Sequence, residues 1–287
     1  MAEVKLGFIG GSGLYNMEAL TEKEERTIKT PFGEPSDKVI IGTLTGQRVA
    51  FIPRHGRGHR HSPSEIPARA NIYALKTLGV ERLVSISAVG SLKEEVRPLD
   101  MLVPDQIIDR TRGSRPSTFF EKGIVAHVGF ADPFCAQLRT VLRKTSEKHI
   151  ATHDGGTYVV MEGPQFSTRA ESELYRSWGA SIIGMTALPE AKLAREAEIC
   201  YATLALVTDY DCWHQTEEVV SVELVIANLM KNVANAQKII QALVTALPEK
   251  RACTCGSALE TAIITGREHI SKETKTRLAA IVGKYVK

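Results

Sequence analysis

The chain has 287 residues, with 36 Lys and Arg against 33 Asp and Glu, a formal net charge of +3, and 43% hydrophobic residues. This composition excludes the collagen-like, disordered and disulfide-scaffold classes. So small a net charge does not indicate nucleic acid as a partner. No run of about 18 apolar residues predicts a membrane span. The start is broken by glycines and lacks the basic region of a signal peptide, so we expect a cytoplasmic protein with reduced thiols and no membrane partner.

Strands and helices alternate along the chain. Apolar runs and helical spacing predict, in order, a strand at 5–9, strands at 39–41 and 49–52, a helix at 63–78 and a strand at 82–88. There follow a helix at 132–146, a strand at 157–161, helices at 168–178 and 189–197, a buried strand at 200–207, and helices at 221–247 and 272–285. This order predicts a single α/β domain with a mixed central sheet flanked by helices. Ligands of such folds bind beyond the carboxyl ends of the strands.

A glycine-rich turn, Gly10-Gly11-Ser12-Gly13, follows the first predicted strand. Its backbone N–H groups and the Ser12 hydroxyl suit an anion. A dinucleotide fingerprint needs a further glycine at position 16, which is Asn16, so an NAD-type oxidoreductase is disfavoured. A tight turn without a ligand remains the alternative.

A basic loop follows the strand at 49–52. Three arginines and three histidines lie within residues 54–61, where guanidinium forks and imidazoles suit phosphate oxygens. The alternative is a solvated basic loop. A metal site made of these histidines is disfavoured, because no cysteine or acidic ligand stands at a recognisable spacing. The strand at 82–88 leads into Ala88-Val89-Gly90-Ser91, a second glycine turn. The combination of these segments favours a phosphate site.

Two carboxylates, Asp209 and Asp211, follow the buried strand at 200–207. If strand geometry continues, they point to the same side. Crowding of like charges then raises the pKa of one carboxyl, which can donate a hydrogen bond near neutral pH. The alternative is a pair that caps the next helix.

The segment 161–171 joins a strand to a helix. Thr168 and Glu171 predict a capping box at the start of that helix. Phe166 is suited to stacking on a planar ring, but its residue type alone favours a place in the core.

Five segments carry a family resemblance: GGSGL at 10–14, PFGEPSD at 31–37, RHG at 54–56, EGPQFSTRAE at 162–171 and TDYDCW at 208–213. In order from about residue 4 to about residue 247, the chain resembles the S-methyl-5′-thioadenosine phosphorylases of the trimeric purine nucleoside phosphorylase family. The resemblance implies the nucleoside phosphorylase fold for a single domain over 1–287. It implies cleavage of methylthioadenosine by phosphate, to adenine and 5-methylthioribose 1-phosphate, in purine and methionine salvage.

The resemblance also implies roles for individual residues. The implied phosphate-binding residues are Ser12, Arg54, His55, Ser87, Ala88 and Thr186. The implied nucleoside-binding residues are Phe166 and Ser167 beside the purine, Met185 beneath the ribose, Val222 and Val225 around the methylthio group, and Asp209 and Asp211 at the base. Asp209 is the implied acid at purine N7, and Asp211 reads the 6-amino group. His127 is implied to reach into a neighbouring subunit, so we expect a homo-oligomer, either a trimer or a dimer of trimers.

The residues themselves fit this chemistry without a metal or organic cofactor. A protonated Asp209 relieves the charge on the leaving purine, while the basic loop holds the anionic nucleophile. A carboxylate facing the 6-position favours adenine over a 6-oxopurine. The alternatives are a phosphorylase that prefers methylthioinosine, inosine or guanosine, and a catalytically silent nucleotide-binding protein.

The C-terminal extension, 250–287, departs from the family pattern. Its Cys253-Thr254-Cys255 segment predicts either a strained, reducible disulfide or two idle thiols.

Overall fold

The computed structural model describes residues 4–14, 16–214 and 222–286, and the backbone alone of Ser12. Within this part of the chain the strands are β1 Leu6–Gly10, β2 Thr21–Arg26, β3 Val39–Leu44, β4 Gln47–Pro53, β5 Arg82–Ser91, β6 Met101–Val103, β7 Gln106–Arg110, β8 Thr152–Asp154, β9 Thr157–Met161, β10 Ile182–Gly184 and β11 Cys200–Asp209. The helices are α1 Ala68–Thr77, α2 Ala136–Ser146, α3 Arg169–Ser177, α4 Ala187–Glu196, α5 Val222–Ala246, α6 Lys272–Arg277 and α7 Ala279–Val282.

The strands form one mixed sheet, with β5 at its centre. The main order is β2-β3-β4-β1-β5-β10-β9-β7, and β11 pairs with both β5 and β6. β5 is parallel to β1 over its first half and antiparallel to β10 at its end, while β11 runs parallel to it along nearly its whole length. The mixed α/β sheet predicted from the sequence is therefore confirmed.

The sheet is covered on both faces, as shown by its strands: the side chains of successive residues pack in different hydrophobic clusters. In β1, Phe8 packs in one cluster and Ile9 in the other, and both are fully buried. This alternation follows from the two-residue period of a strand. It explains why the central strands are continuously apolar in sequence.

Three predicted helix boundaries are wrong. α1 begins at Ala68, because Pro67 disfavours helical geometry in the residue before it. α2 begins at Ala136, because the Cys135 N–H donates to the Tyr201 carbonyl (2.8 Å) and holds Cys135 extended. The predicted C-terminal helix is two short helices, since Leu278 leaves helical geometry between them (φ −104°, ψ 14°).

The sequence patterns also missed five strands: β2, β6, β7, β8 and β10. β2 is the clearest case, because its residues TEKEER offer no apolar alternation and are almost all exposed. It pairs with β3 along the backbone, with added hydrogen bonds from the Thr21 hydroxyl to the Thr43 carbonyl (3.2 Å) and from the Thr43 hydroxyl to Glu22 (2.6 Å). The capping box of Thr168 and Glu171 at the start of α3 is confirmed. No helix in the described ranges is long and apolar enough to cross a membrane.

Candidate active site

The carboxyl ends of four strands meet at one edge of the sheet. Gly10 of β1 lies opposite Pro53 of β4, and the Arg54 N–H donates to the Gly10 carbonyl (3.0 Å). On the other side of β5, Asp209 of β11 lies opposite Gly90. The glycine turn, the basic loop and the aspartate pair, which are far apart in sequence, are therefore neighbours at this edge.

Arg54 is a deeply enclosed charged group at this edge, with only 2% of its surface exposed. Its Nε donates to Glu190 Oε1 (2.6 Å) and its Nη2 lies 3.2 Å from Glu190 Oε2. The remaining protein contacts are with the Ile86 carbonyl (2.9 Å from Nη1) and with Ser85 Oγ (2.6 Å) and the Ile9 carbonyl (3.2 Å), both from Nη2. Since a guanidinium has five N–H groups, these bonds within the described residues leave one, on Nη1, for a ligand.

Glu190 is what allows a guanidinium to be charged in this position. Burial works against the charge of Arg54, but the facing carboxylate outweighs it, and the pKa of Arg54 is raised. Glu190 is itself 1% exposed and accepts a third hydrogen bond, from the Tyr201 hydroxyl (3.1 Å). A buried ion pair of this kind is held in place by its hydrogen bonds.

The rest of the basic loop does not act as one unit. His55 is half-buried and its Nδ1 lies 2.8 Å from the His61 carbonyl, so Nδ1 carries the proton and Nε2 is left for another partner. Burial lowers the pKa of His55 to about 4, which makes it neutral at pH 7. Arg57 and Arg60 are exposed and lie beside Glu25 and Asp37 respectively. Only the start of the loop turns inward.

The other predicted phosphate residues lie along β5 and at the start of α4. Ser87 Oγ is 3.1 Å from Thr186 Oγ1, which brings together two hydroxyls separated by 99 residues. Ala88 follows Ser87 in β5 and faces Leu206 of β11 in the strand register. The side chain of Ser12 lies outside the described part of the chain, although its backbone begins the short 3-10 turn Ser12–Leu14.

Asp209 and Asp211 are adjacent, but not by the predicted route. β11 ends at Asp209, and Asp211 lies in the left-handed region (φ 52°), so strand alternation does not continue. Instead the Asp211 N–H donates to Asp209 Oδ1 (2.8 Å), which folds the backbone into a turn. Gly90 is required beside this turn, since a Cβ there would lie 2.9 Å from Asp209 Oδ1.

Both aspartates have raised pKa values, and the predicted cause is wrong. Burial is the largest cause for Asp209 and for Asp211, which are 6% and 7% exposed. Repulsion from Asp211 adds only a minor contribution at Asp209. The Thr208 hydroxyl (2.6 Å) and the Asp211 N–H oppose the shift at Asp209 by stabilising its charged form.

Phe166 is 44% exposed, so its assignment to the core from residue type alone is wrong. The segment that carries Phe166 packs closely over Met185. The evidence is at Gly163, where a Cβ would lie only 2.4 Å from the Met185 sulfur. The neighbouring Ser167 is half-buried, and its carbonyl lies 3.3 Å from Cys212 Sγ. Cys212 therefore links the Phe166 segment to the aspartate turn.

The start of α5 lies over the end of β11. The side-chain amide of Asn228 donates to the Thr208 carbonyl (2.8 Å), and that of Asn232 donates to the Val207 carbonyl (3.0 Å). Val225 precedes Asn228 by three residues and so shares its helix face. Val222 begins the helix and is 58% exposed. Val225 thus faces the end of β11, whereas Val222 lies about 120° round the helix from Asn228 and no contact of the described residues places it at the turn.

His127 is a predicted residue that the contacts of the described structure do not bring to the strand ends. Its side chain is exposed, and its backbone N–H donates to the Ala262 carbonyl (2.9 Å). Ala126 forms a bridge with Ile263 beside it. His127 therefore lies on a surface ribbon built with the C-terminal segment.

Comparisons with known proteins agree with this geometry. A family model of the phosphorylase superfamily matches residues 5–245. The chain belongs to the phosphorylase superfamily. It is 56% identical over 284 residues to the S-methyl-5′-thioadenosine phosphorylase of Koribacter versatilis, covering 99% of this chain and 97% of that protein.

Two solved structures extend the comparison to the fold. The crystal structure of a methylthioadenosine phosphorylase from an Antarctic soil metagenomic library superposes with a TM-score of 0.94 at 55% identity, over 98% of this chain and 99% of the other. The Schistosoma mansoni methylthioadenosine phosphorylase, solved with adenine, has a TM-score of 0.84 at 35% identity, over 90% and 96%. The predicted nucleoside phosphorylase fold is confirmed.

The structure of this phosphorylase adds two buried residues that the sequence patterns missed. Glu190, the partner of Arg54, follows a proline inside a predicted helix and carried no motif. Arg115 is 6% exposed and donates to Glu162 Oε1 (2.9 Å) and to the carbonyls of Met185 (2.6 Å) and Leu188 (2.9 Å). It thereby fixes the segment that leads from Met185 into α4. A single arginine in an irregular stretch offers no spacing by which to find it.

Proposed function

We propose that this phosphorylase cleaves S-methyl-5′-thioadenosine with inorganic phosphate, to give adenine and 5-methylthioribose 1-phosphate. The observation that carries the proposal is a buried carboxyl group of raised pKa, Asp209, placed across from Gly90 of β5, the strand that also carries Ser87 and Ala88. An acid for the leaving base and donors for the attacking anion thus share one strand end. The relatives described above are named for the same substrate.

The phosphate would bind against the inward-facing donors. Arg54 contributes its one uncommitted N–H and its positive charge, and the hydroxyls of Ser87 and Thr186 contribute donors beside it. Neutral His55, with its proton on Nδ1, presents Nε2 as an acceptor for the O–H of a monoprotonated phosphate. Because these groups are already held by the protein, binding of phosphate demands little reorganisation.

Asp209 would protonate the leaving base. As the bond between C1′ and N9 breaks and a phosphate oxygen bonds C1′, the Asp209 proton passes to purine N7 and adenine leaves neutral; solvent then restores the proton. The Thr208 hydroxyl suits both states of this acid. It lies 2.6 Å from Asp209 Oδ2 and 3.1 Å from the Val89 carbonyl, so it can donate to the carboxylate when Asp209 is ionised and to the carbonyl when Asp209 is protonated.

The base and sugar would be held by the less enclosed side of the site. Phe166 would flank the purine together with Ser167, and Asp211 would accept from the 6-amino group, which a 6-oxopurine lacks. Met185 would lie beneath the ribose, held through its carbonyl by Arg115. Val222 and Val225 would surround the methylthio group. An apolar pocket rejects an added hydroxyl only weakly, so slower cleavage of adenosine is expected.

The proposal includes a homotrimer in the cytoplasm and no cofactor beyond the phosphate co-substrate. The surface ribbon at His127 supports association, because Val125 and Ile264, at its two strands, are 49% and 63% exposed. These two exposed apolar side chains lie next to His127, which is away from the strand ends. Such a surface is suited to a contact between subunits. Light scattering coupled to gel filtration tests the trimer directly, and a monomeric mass would contradict it.

The function is tested by base release. Methylthioadenosine, inosine and adenosine are each incubated with and without phosphate, and the products are separated by chromatography. We expect adenine from methylthioadenosine only when phosphate is present. Release without phosphate would indicate a hydrolase, and faster release from inosine would indicate a 6-oxopurine phosphorylase. No release from any substrate would indicate a silent binding protein.

A further inference from the structure

Four of the five cysteines converge on one point outside the candidate active site. The Sγ atoms of Cys135, Cys200, Cys253 and Cys255 all lie within 4.8 Å of one another, and those of Cys200 and Cys253 are 3.3 Å apart. We call these four residues the cysteine cluster. All four are free thiols, and three of them are buried, while Cys253 is half-buried. The fifth thiol, Cys212, belongs to the aspartate turn instead.

The cysteine cluster joins three distant parts of the chain. Cys135 immediately precedes α2, and Cys200 is the first residue of β11. Cys253 and Cys255 flank Thr254 at the 3-10 turn Thr254–Ser257 of the C-terminal segment. The Cys135 N–H bonds the Tyr201 carbonyl (2.8 Å), so the first two cysteines are held together by the backbone as well.

We propose that the cysteine cluster binds a zinc ion through four thiolates. At zinc–sulfur distances of about 2.3 Å, the sulfurs of a tetrahedral site are separated by about 3.8 Å. The 3.3 Å between the Cys200 and Cys253 sulfurs and the 4.8 Å limit on all the separations bracket that value, so small side-chain rotations would suffice to reach it. Four sulfur ligands select a thiophilic ion such as zinc over magnesium or calcium. Binding releases one proton from each thiol to solvent and leaves the site with a net charge of −2.

A cation and a helix N-terminus border the cysteine cluster. Arg251 lies two residues before Cys253, and its Nη1 donates to the Glu198 carbonyl (3.0 Å) while its Nε lies 3.3 Å from Glu81 Oε2. At the other side, Cys135 occupies the N-terminus of α2, where the helix dipole favours negative charge. A cation and a helix N-terminus near ligating sulfurs are the outer-shell interactions that stabilise such sites.

The role of this ion would be structural. Four protein ligands close a tetrahedral site and leave no position for water or substrate. The ion would tie the C-terminal segment to the starts of α2 and β11. That segment continues into Ala262 and Ile263, which pair with residues 126 and 127, so the ion would also hold the surface ribbon in place. This proposal is independent of the proposed reaction, and it departs from the expectation of a metal-free protein.

The test uses the full chain, without an affinity tag that binds metal, purified under reducing conditions. We expect elemental analysis to find one zinc per chain. We also expect cobalt titration of chelator-treated protein to produce the intense visible bands of tetrahedral cobalt bound to four thiolates. Failure of the reduced protein to take up cobalt would overturn the proposal. So would mass spectrometry of thiol-blocked cell extracts that found the cysteine cluster as disulfides.

Matched variants assign the site. Cys255→Ser and Cys253→Ser should each lose the zinc and the four-thiolate spectrum, and should melt at a lower temperature than the wild type. Cys212→Ser, which changes a thiol outside the cluster, should keep one zinc per chain. Retention of zinc in both cluster variants, or its loss in Cys212→Ser alone, would contradict the assignment. If the cluster variants do not fold, the cobalt titration of the wild type decides by itself.

Discussion

The two sides of the candidate active site are built differently. On the phosphate side, Arg54 is 2% exposed and all but one of its N–H groups are bound by protein. On the nucleoside side, Phe166 is 44% exposed and Val222 58%. A charge aimed at an anion is effective when it is held in place before the reaction. Apolar surfaces need no such fixing, so they can be left for the substrate or a second subunit to cover.

The largest effect is expected at the junction of the two sides. Asp209→Ala removes the proton donor, so kcat should fall by about 10²–10⁴-fold while KM for phosphate changes little. Asp209→Asn still accepts from the Asp211 N–H but cannot protonate the base. Its kcat should lie between those of the wild type and Asp209→Ala. Steady-state kinetics with methylthioadenosine measure this effect. An unchanged kcat in Asp209→Ala would remove the acid from the mechanism.

The next effect tests the rigidity of the phosphate side. Arg54→Met or Glu190→Met leaves the partner charge buried and alone, which should cost about 3–5 kcal/mol of unfolding free energy. The double variant removes both charges and should be more stable than either single variant. All three variants should raise KM for phosphate. These expectations are checked by urea denaturation and by phosphate titration of the rate, and a double variant with the KM of the wild type would contradict the phosphate role.

A smaller effect is expected on the nucleoside side. Phe166→Ala should raise KM for methylthioadenosine about tenfold, or about 1.4 kcal/mol, because a stacking partner is lost. KM for phosphate and stability should change little, since the ring is exposed. Leu174→Ala is the matched control, as Leu174 is 45% exposed on the neighbouring helix α3. Equal changes in both variants would show a general surface effect.

The smallest effect is a shift in pH dependence. The Thr208 hydroxyl stabilises the ionised form of Asp209 and so lowers the pKa of that carboxyl. Thr208→Val removes this donor, and the pKa of Asp209 should rise further. Because the acid works when protonated, kcat should then persist to higher pH than in the wild type. Thr203→Val, on the same strand with a buried hydroxyl that has no partner in the described structure, should leave the pH profile unmoved.

Local patterns were sufficient for much of the fold and for the location of the site. The apolar run at 200–207 predicted β11, and the capping residues predicted the start of α3. The alternation of strands and helices predicted a ligand site at the carboxyl ends of the strands. These signals are read within a few residues, because strand and helix periods are local. The exposed strand β2 was missed because its residues are almost all polar and exposed, so they show none of the apolar alternation by which strands are predicted.

The alternation of strands and helices, the segments at the strand ends and, through family motifs, the candidate residues could all be predicted from the sequence. How those residues are combined depends on the tertiary fold. It paired Arg54 with Glu190, 136 positions later, turned Asp211 back onto Asp209, exposed Phe166 and brought four cysteines from three segments to one point. Each outcome depends on which chain segments the topology packs together and on the burial that results, and neither is encoded in any local spacing.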